Sequence, residues 1–266
     1  MIDNHIHSDF SFDSDANMRD SVNFAIEKGV EFIAFTDHDD KDYLSITNYD
    51  IPQIDIDGYF KEAKLLQEEY KDKIKIAVGI ECGYSKNAEK IYKKNLSDYR
   101  FDVILNSVHT VFGQDCYYDE FFKGKDKDLA YTAYLEAVRQ SVDASYDYDI
   151  ISHFGYVTRS APYENPAMSY FEYSSIIDDI LYAVISKGKC LEVNTRSKEE
   201  ELYFVPNVDI LKRYKELGGD KITFGSDAHK KEDICKNYKQ VKHILSELGF
   251  SHWTVYIDRK PIKIEF

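Results

Sequence analysis

Two motifs near opposite ends of the sequence, His5-Ile6-His7 and Asp227-Ala228-His229, each hold a pair of potential metal ligands two residues apart. In extended backbone alternate side chains point the same way, so each pair can grip one cation or two adjacent ones. Asp37-His38, Glu81, His109 and His153 add imidazoles and carboxylates between them. A lone histidine is usually a hydrogen-bonded structural residue. Here, however, six of the eight histidines fall just after short apolar runs. Core or surface histidines have no reason to recur at the same point of successive units, whereas a ring of ligands does. His243, within a helical pattern, and His252, beside Trp253, lack that context and read as structural. Asp37 reads as an acceptor that orients a neighbouring imidazole. Glu81 ends a buried apolar run, where an unpaired carboxylate is costly, and reads as a bridging ligand. Such a set without thiolates suits zinc, manganese, iron or cobalt.

Short apolar runs position these groups: Phe32 to Phe35, Ile74 to Ile80, Val103 to Leu105, Ile150-Ile151, Cys190 to Val193 and Ile222 to Phe224. With a strand around Ile2 to Ile6 they make about seven buried strands. Helical patterns alternate with them, as in Ile176, Ile177, Ile180, Leu181 and Val184 before Gly188. That alternation implies a parallel sheet with right-handed crossovers, either open or closed into a barrel. In both arrangements the strand exits share one face, so residues distant in sequence converge there. Trp253 to Ile257 and Ile262 to Ile264 alternate like a hairpin that closes one end or edge. The chain of 266 residues has no linker-like tract and reads as one unit over residues 1–266.

Composition narrows the function. The 34 Lys and Arg against 48 Asp and Glu give a net charge of −14, which argues against nucleic acid backbone and anionic membrane as partners. No apolar run reaches the ~18 residues of a membrane span, and the opening MIDNHIHSDF is not of signal-peptide type, so a cytoplasmic location is expected. Cys82, Cys116, Cys190 and Cys235 are widely spaced and read as reduced structural thiols. An anionic substrate must be attracted locally, and bound cations would do it.

The assembled residues resemble the PHP family, named for polymerase and histidinol phosphatase, and its histidinol-phosphate phosphatase branch. The likeness rests on His5-Ile6-His7, Ser11 to Ala16, Thr36-Asp37-His38, Gly79-Ile80-Glu81, Ser107-Val108-His109, Ser152-His153, Leu191 to Thr195 and Gly225 to His229, and runs nearly end to end. The resemblance implies a distorted (β/α)7 barrel with its metal site at the C-terminal ends of the strands. It implies one ion held by His5, His7, Glu81 and Asp227, a second by Glu81, His109 and His153, and a third by Asp13, His38 and His229. Asp13 stands where many members have histidine. Two to three divalent transition-metal ions (zinc, manganese or iron) would outweigh the three carboxylates and suit a phosphomonoester dianion. The implied reaction is attack of a metal-activated water on the phosphorus of histidinol phosphate, a small-molecule partner, with Asp227, Glu81 and His229 as the catalytic groups. Arg159, Arg196, Asn194 and Arg19 are the candidate phosphate contacts, because guanidinium binds phosphate bidentately. The aromatic and acidic stretch 112–128, directly after His109, could cover the amine and imidazole of such a substrate. A nucleotidase or exonuclease of the same family and a non-catalytic metal-stabilised module are the alternatives. The sequence leaves the oligomeric state open.

Overall fold

The computed structural model describes residues 1–41, 43, 51–197 and 202–266. Seven parallel strands form a nearly closed barrel: β1 (Ile2–Ile6), β2 (Phe32–Phe35), β4 (Lys75–Gly83), β5 (Val103–Ser107), β8 (Ile150–Ile151), β9 (Cys190–Asn194) and β10 (Ile222–Gly225), in that order around the sheet. Apart from Lys75, every residue of these strands is buried. Helices cover the outer side and side chains fill the inner, so the strands read as unbroken apolar runs and not as alternation. The ring closes where β10 returns to β1. Asp227 N–H donates to His5 O at 2.7 Å and His7 N–H to Ala228 O at 2.9 Å, and Ile6 bridges Ala228.

The nine-residue β4 is the pivot. Its first half pairs with β2, placing Phe35 against Val78, and its second half pairs with β5, placing Gly83 against Ser107. The short β3 (His38–Asp39) lies beside its end, with His38 in register with Glu81. Glu81 therefore sits inside the strand, two residues before its end, and not at the exit where the apolar run Ile74 to Ile80 stops. Extended backbone continues because buried imidazoles compensate the carboxylate.

The helix Ser174–Ser186 buries Ile177, Ile180, Leu181 and Val184 along one stripe, and Gly188, at φ +64°, ends it in the left-handed region. The stretch 112–128 is not a single excursion. A turn at Phe112 and Gly113 links β6 (Thr110–Val111) to β7 (Gln114–Asp115), and a one-turn helix, Asp119–Phe122, follows. Cys116, Phe121 and Phe122 are core, while Phe112 faces solvent. The terminal hairpin joins β11 (His252–Ile257) to β12 (Lys260–Glu265) through Asp258 and Arg259, both at positive φ, as a two-residue turn matching strand twist requires. It seals the N-terminal end of the barrel. Arg259 pairs with Asp149 at 2.5 Å just before β8, and Asp258 N–H donates to Asp102 at 3.0 Å just before β5.

Candidate active site

The opposite, C-terminal end gathers the candidate ligands around Glu81, which is fully buried. Its Oε2 lies 2.8 Å from His38 Nδ1, 3.4 Å from His5 Nε2 and 3.5 Å from His7 Nε2. Its Oε1 lies 2.8 Å from His153 Nε2 and 3.4 Å from His109 Nε2. Asp227 Oδ1 is 3.2 Å from His7 Nε2 and 3.8 Å from His5 Nε2. Asp13 closes the outer side, 3.0 Å from His229 Nε2 and 3.6 Å from His38 Nε2. All nine proposed ligands thus meet in one place. His5, His7 and Glu81 group tightly enough to share an ion, as do His38, Glu81 and His109, and His7, His38 and His229. His38 thereby belongs to two groups, where the resemblance gave it one.

The donor chemistry fits cations. The Nε2 atoms of His5 and His7 face one another at 3.0 Å, as do those of His109 and His153 at 3.3 Å. Glu81 Oε2 is crowded by three imidazoles yet satisfied by none of them. Such orphaned buried atoms are costly unless something charged stands between them. Protonation follows the same logic. Burial opposes ionisation of Glu81, but His5, His38 and His109 overcome it and hold the carboxyl well below its usual range. Burial would lower His38, yet Glu81 and Asp13 raise it to about 9. His153 is pushed down to about 4 by burial against the pull of Glu81.

Backbone geometry aims two of these groups. His153 and Asp227 take left-handed backbone, at φ 25° and 53°, a conformation costing about 1–3 kcal/mol that persists at functional sites where the surroundings enforce it. The His153 N–H is anchored to Glu192 Oε2 at 2.6 Å. Glu192 was given no role by sequence reasoning. It also pairs with His5 Nδ1 at 2.7 Å and accepts from Asn194 Nδ2 at 3.1 Å. A carboxylate between Leu191 and Val193 in a buried strand was the available sign, since it must find partners. Asp40 was also missed; it orients His109 through Nδ1 at 2.9 Å. Asp37 reaches an imidazole indirectly, accepting from Ser11 Oγ at 2.7 Å, which in turn lies 3.0 Å from His7 Nδ1.

Arg159 and Arg196 flank the cluster. Arg159 Nη2 donates to Asn194 Oδ1 at 2.6 Å and Asp227 Oδ2 at 2.8 Å. Arg196 Nη1 lies 3.2 Å from Asp227 Oδ1 and 2.8 Å from His229 Nε2. Arg19 does not join them. It forms a bidentate pair with Glu69 at 2.5 and 2.9 Å on the exposed surface, because the helix that begins at Met18 turns it outward. His243 is an exposed partner of Glu247 and His252 packs against Asp220, away from the site. A cavity of about 250 Å³ opens beside the ligands, lined also by Phe12, Asp115, Tyr117, Tyr118 and Tyr156. Asp115 accepts from Tyr43 Oη at 2.7 Å and from Tyr117 N–H at 2.7 Å.

The PHP domain family model matches residues 3–196, which carry seven of these nine side chains. The chain belongs to the PHP domain family. Among PHP proteins, the histidinol-phosphatase of Lactococcus lactis subsp. lactis (strain IL1403) is 34% identical over 265 residues, spanning 97% of this chain and 95% of its own. The probable histidinol-phosphatase of Clostridium acetobutylicum is 30% identical over 263 residues, spanning 99% of each. The crystal structure of the Lactococcus lactis histidinol phosphate phosphatase, complexed with zinc, L-histidinol and phosphate, matches with a TM-score of 0.89 at 32% identity, covering 98% of both chains. These relatives extend past the matched segment of the PHP model and so include the region of Asp227 and His229. Among the described residues no helix is long and apolar enough to cross a membrane.

Proposed function

We propose that this PHP protein is a metal-dependent histidinol-phosphatase that converts histidinol phosphate and water to histidinol and phosphate. The observation that carries the reading is the placement of two guanidiniums directly against a buried His and carboxylate cluster, in a chain similar end to end to a protein crystallised with zinc, histidinol and phosphate. Two to three ions fit these donors: His5, His7, Glu81 and Asp227 would hold one, Glu81, His109 and His153 another, and Asp13, His38 and His229 the third. Zinc, manganese and iron all suit the donors. When bound, they supply a nucleophilic water at neutral pH and neutralise the phosphoryl oxygens.

The chain's own groups do the rest. Arg159 and Arg196 take the phosphate oxygens, and Asn194, with its carboxamide on Glu192 and Arg159, fixes the first guanidinium. Burial opposes ionisation of Asp227, but His5, Arg196 and Arg159 hold it well below the usual carboxyl range, so it stays ionised at neutral pH. Asp13 and Asp40 are engaged with imidazoles, which leaves Asp115 as the carboxylate of the cavity wall free of them. With Tyr117, Tyr118 and Tyr156 beside it, Asp115 suits an amine and an imidazole. Metal analysis of the purified protein paired with a phosphomonoester panel tests this: bound transition metal and preferential release of phosphate from histidinol phosphate are expected. Faster turnover of nucleotides would move the assignment to the nucleotidase branch.

A further inference from the structure

A second cavity, of about 380 Å³, meets the first over the guanidinium pair. The two share Tyr117, Arg159, Arg196 and Asp227 and otherwise differ in charge. The first carries Asp13, Asp40 and Asp115 and no ammonium group. The second carries Lys230 and Lys236 against a single further carboxylate, Asp233, whose contact with Lys236 Nζ is a loose 3.9 Å. Lys230 forms no ion pair within the described residues. The Nε–H of Arg159, whose side chain is only 7% exposed, has no hydrogen-bond partner. In the same wall the Thr158 hydroxyl donates to Gly155 O at 2.8 Å and accepts from Tyr203 Oη at 2.6 Å, so the free donors of the lobe are the Arg159 Nε–H and the lysine ammonium groups. In a chain with a net charge of −14, a pocket with this balance stands out as a local anion site.

We propose that this second lobe is an oxyanion subsite adjoining the ligand cluster, centred on Lys230 and Lys236 with Asp227 and His229 at its inner edge, and that it holds the phosphate dianion released by hydrolysis. This rests on the reading that the scissile phosphate lies at Arg159 and Arg196. After cleavage the cationic alcohol occupies the acidic, aromatic lobe, and phosphate moves from the shared guanidiniums to Lys230 and Lys236, so the two products depart by opposite lobes. Neither lysine is a proposed ligand or lines the first lobe, although Lys230 directly follows His229 in the chain.

Inorganic phosphate titrated into the metal-loaded full-length protein, followed by calorimetry, is the test. The wild type should take two phosphates per chain, and the Lys230→Gln/Lys236→Gln variant should keep the tighter one and bind the other about tenfold more weakly, the loss expected of charge-assisted hydrogen bonds. In steady state the variant should lose the non-competitive part of phosphate inhibition while kcat/KM for histidinol phosphate stays within about twofold. One phosphate per wild-type chain, or two unchanged affinities in the variant, overturns the proposal. Because the probe is inorganic phosphate, a wrong choice of monoester substrate leaves this readout intact. A bisphosphorylated monoester separates the two sources of the anion: a selective loss of its turnover in the variant would mean that the lobe serves a second group of the substrate, and would overturn the product assignment.

Discussion

Gly225 is the last residue of β10, and a Cβ placed there would meet Glu192 Oε1 at 2.0 Å and His5 Cβ at 2.7 Å. Ordinary contact begins at 3.4 Å, so in Gly225→Ala the carboxylate must retreat by 3.4 − 2.0 = 1.4 Å. That movement breaks the 2.7 Å pairing with His5 Nδ1 and loosens the 2.6 Å bond from His153 N–H, one anchor in each of two ligand groups. A hydrogen bond to a charged group contributes about 1.5–3 kcal/mol, so losing one of them costs roughly one to two decades. That matches the ~10- to 100-fold loss of metal affinity typical when the residues supporting ligands are changed. The assay is competition for zinc between a chromophoric chelator and metal-stripped protein, with circular dichroism to confirm the fold. Glu192→Gln, which keeps the volume and removes the charge, should weaken zinc binding in the same direction and separates loss of support from steric damage. Zinc affinity within twofold of wild type in both variants would refute the idea that Glu192 sets the ligand geometry.

His109→Ala and His153→Ala should each lose bound metal and nearly all turnover while keeping the barrel, checked by elemental analysis beside far-ultraviolet spectra; near-normal activity in both would reject the ligand assignment. Asp115→Asn should raise KM for histidinol phosphate about tenfold and leave KM for an uncharged-alcohol monoester near wild type, the pattern for loss of one charge contact to the leaving group; equal effects on both substrates would remove Asp115 from recognition. At the sealed end, burial raises Asp149 above the ordinary 3.8 although Arg259 pulls it down. A carboxyl raised in the native state contributes stability that is complete below pH 3.8 and is lost as pH rises through its native value. Urea unfolding should therefore show Asp149→Asn losing less stability than wild type over that rise, and parallel profiles would count against it. Chelation should lower the melting temperature, by mass action, in wild type and much less in His153→Ala.

The seven strands and most ligands were legible because they repeat: an apolar run followed by histidine is a pattern that six residues announce together. The supporting carboxylates do not repeat. Glu192 acts through His5, His153 and Asn194, and Asp40 through His109, contacts between segments far apart in the chain that nothing in their spacing carries. Arg19 misled because nearness in sequence to Asp13 is not nearness in space once a helix starts at Met18. The Lys230 and Lys236 lobe was invisible for a related reason, since two lysines six residues apart on a highly charged chain look like ordinary solvated groups. The end of β4 was misjudged because hydrophobicity stops at Ile80, whereas hydrogen bonding to β5 continues to Gly83.

Barrel closure also orders events in the life of the molecule. Ser226 N–H bonds to Asp3, 223 residues earlier, in the seam that brings His5 and His7 to Asp227 and His229. A ribosome emitting this polypeptide has released the first two imidazoles long before their counterparts exist, and contacts of such separation form late. Cation uptake into the complete cluster must then follow synthesis, so the metal that wins is the one on offer to a finished barrel.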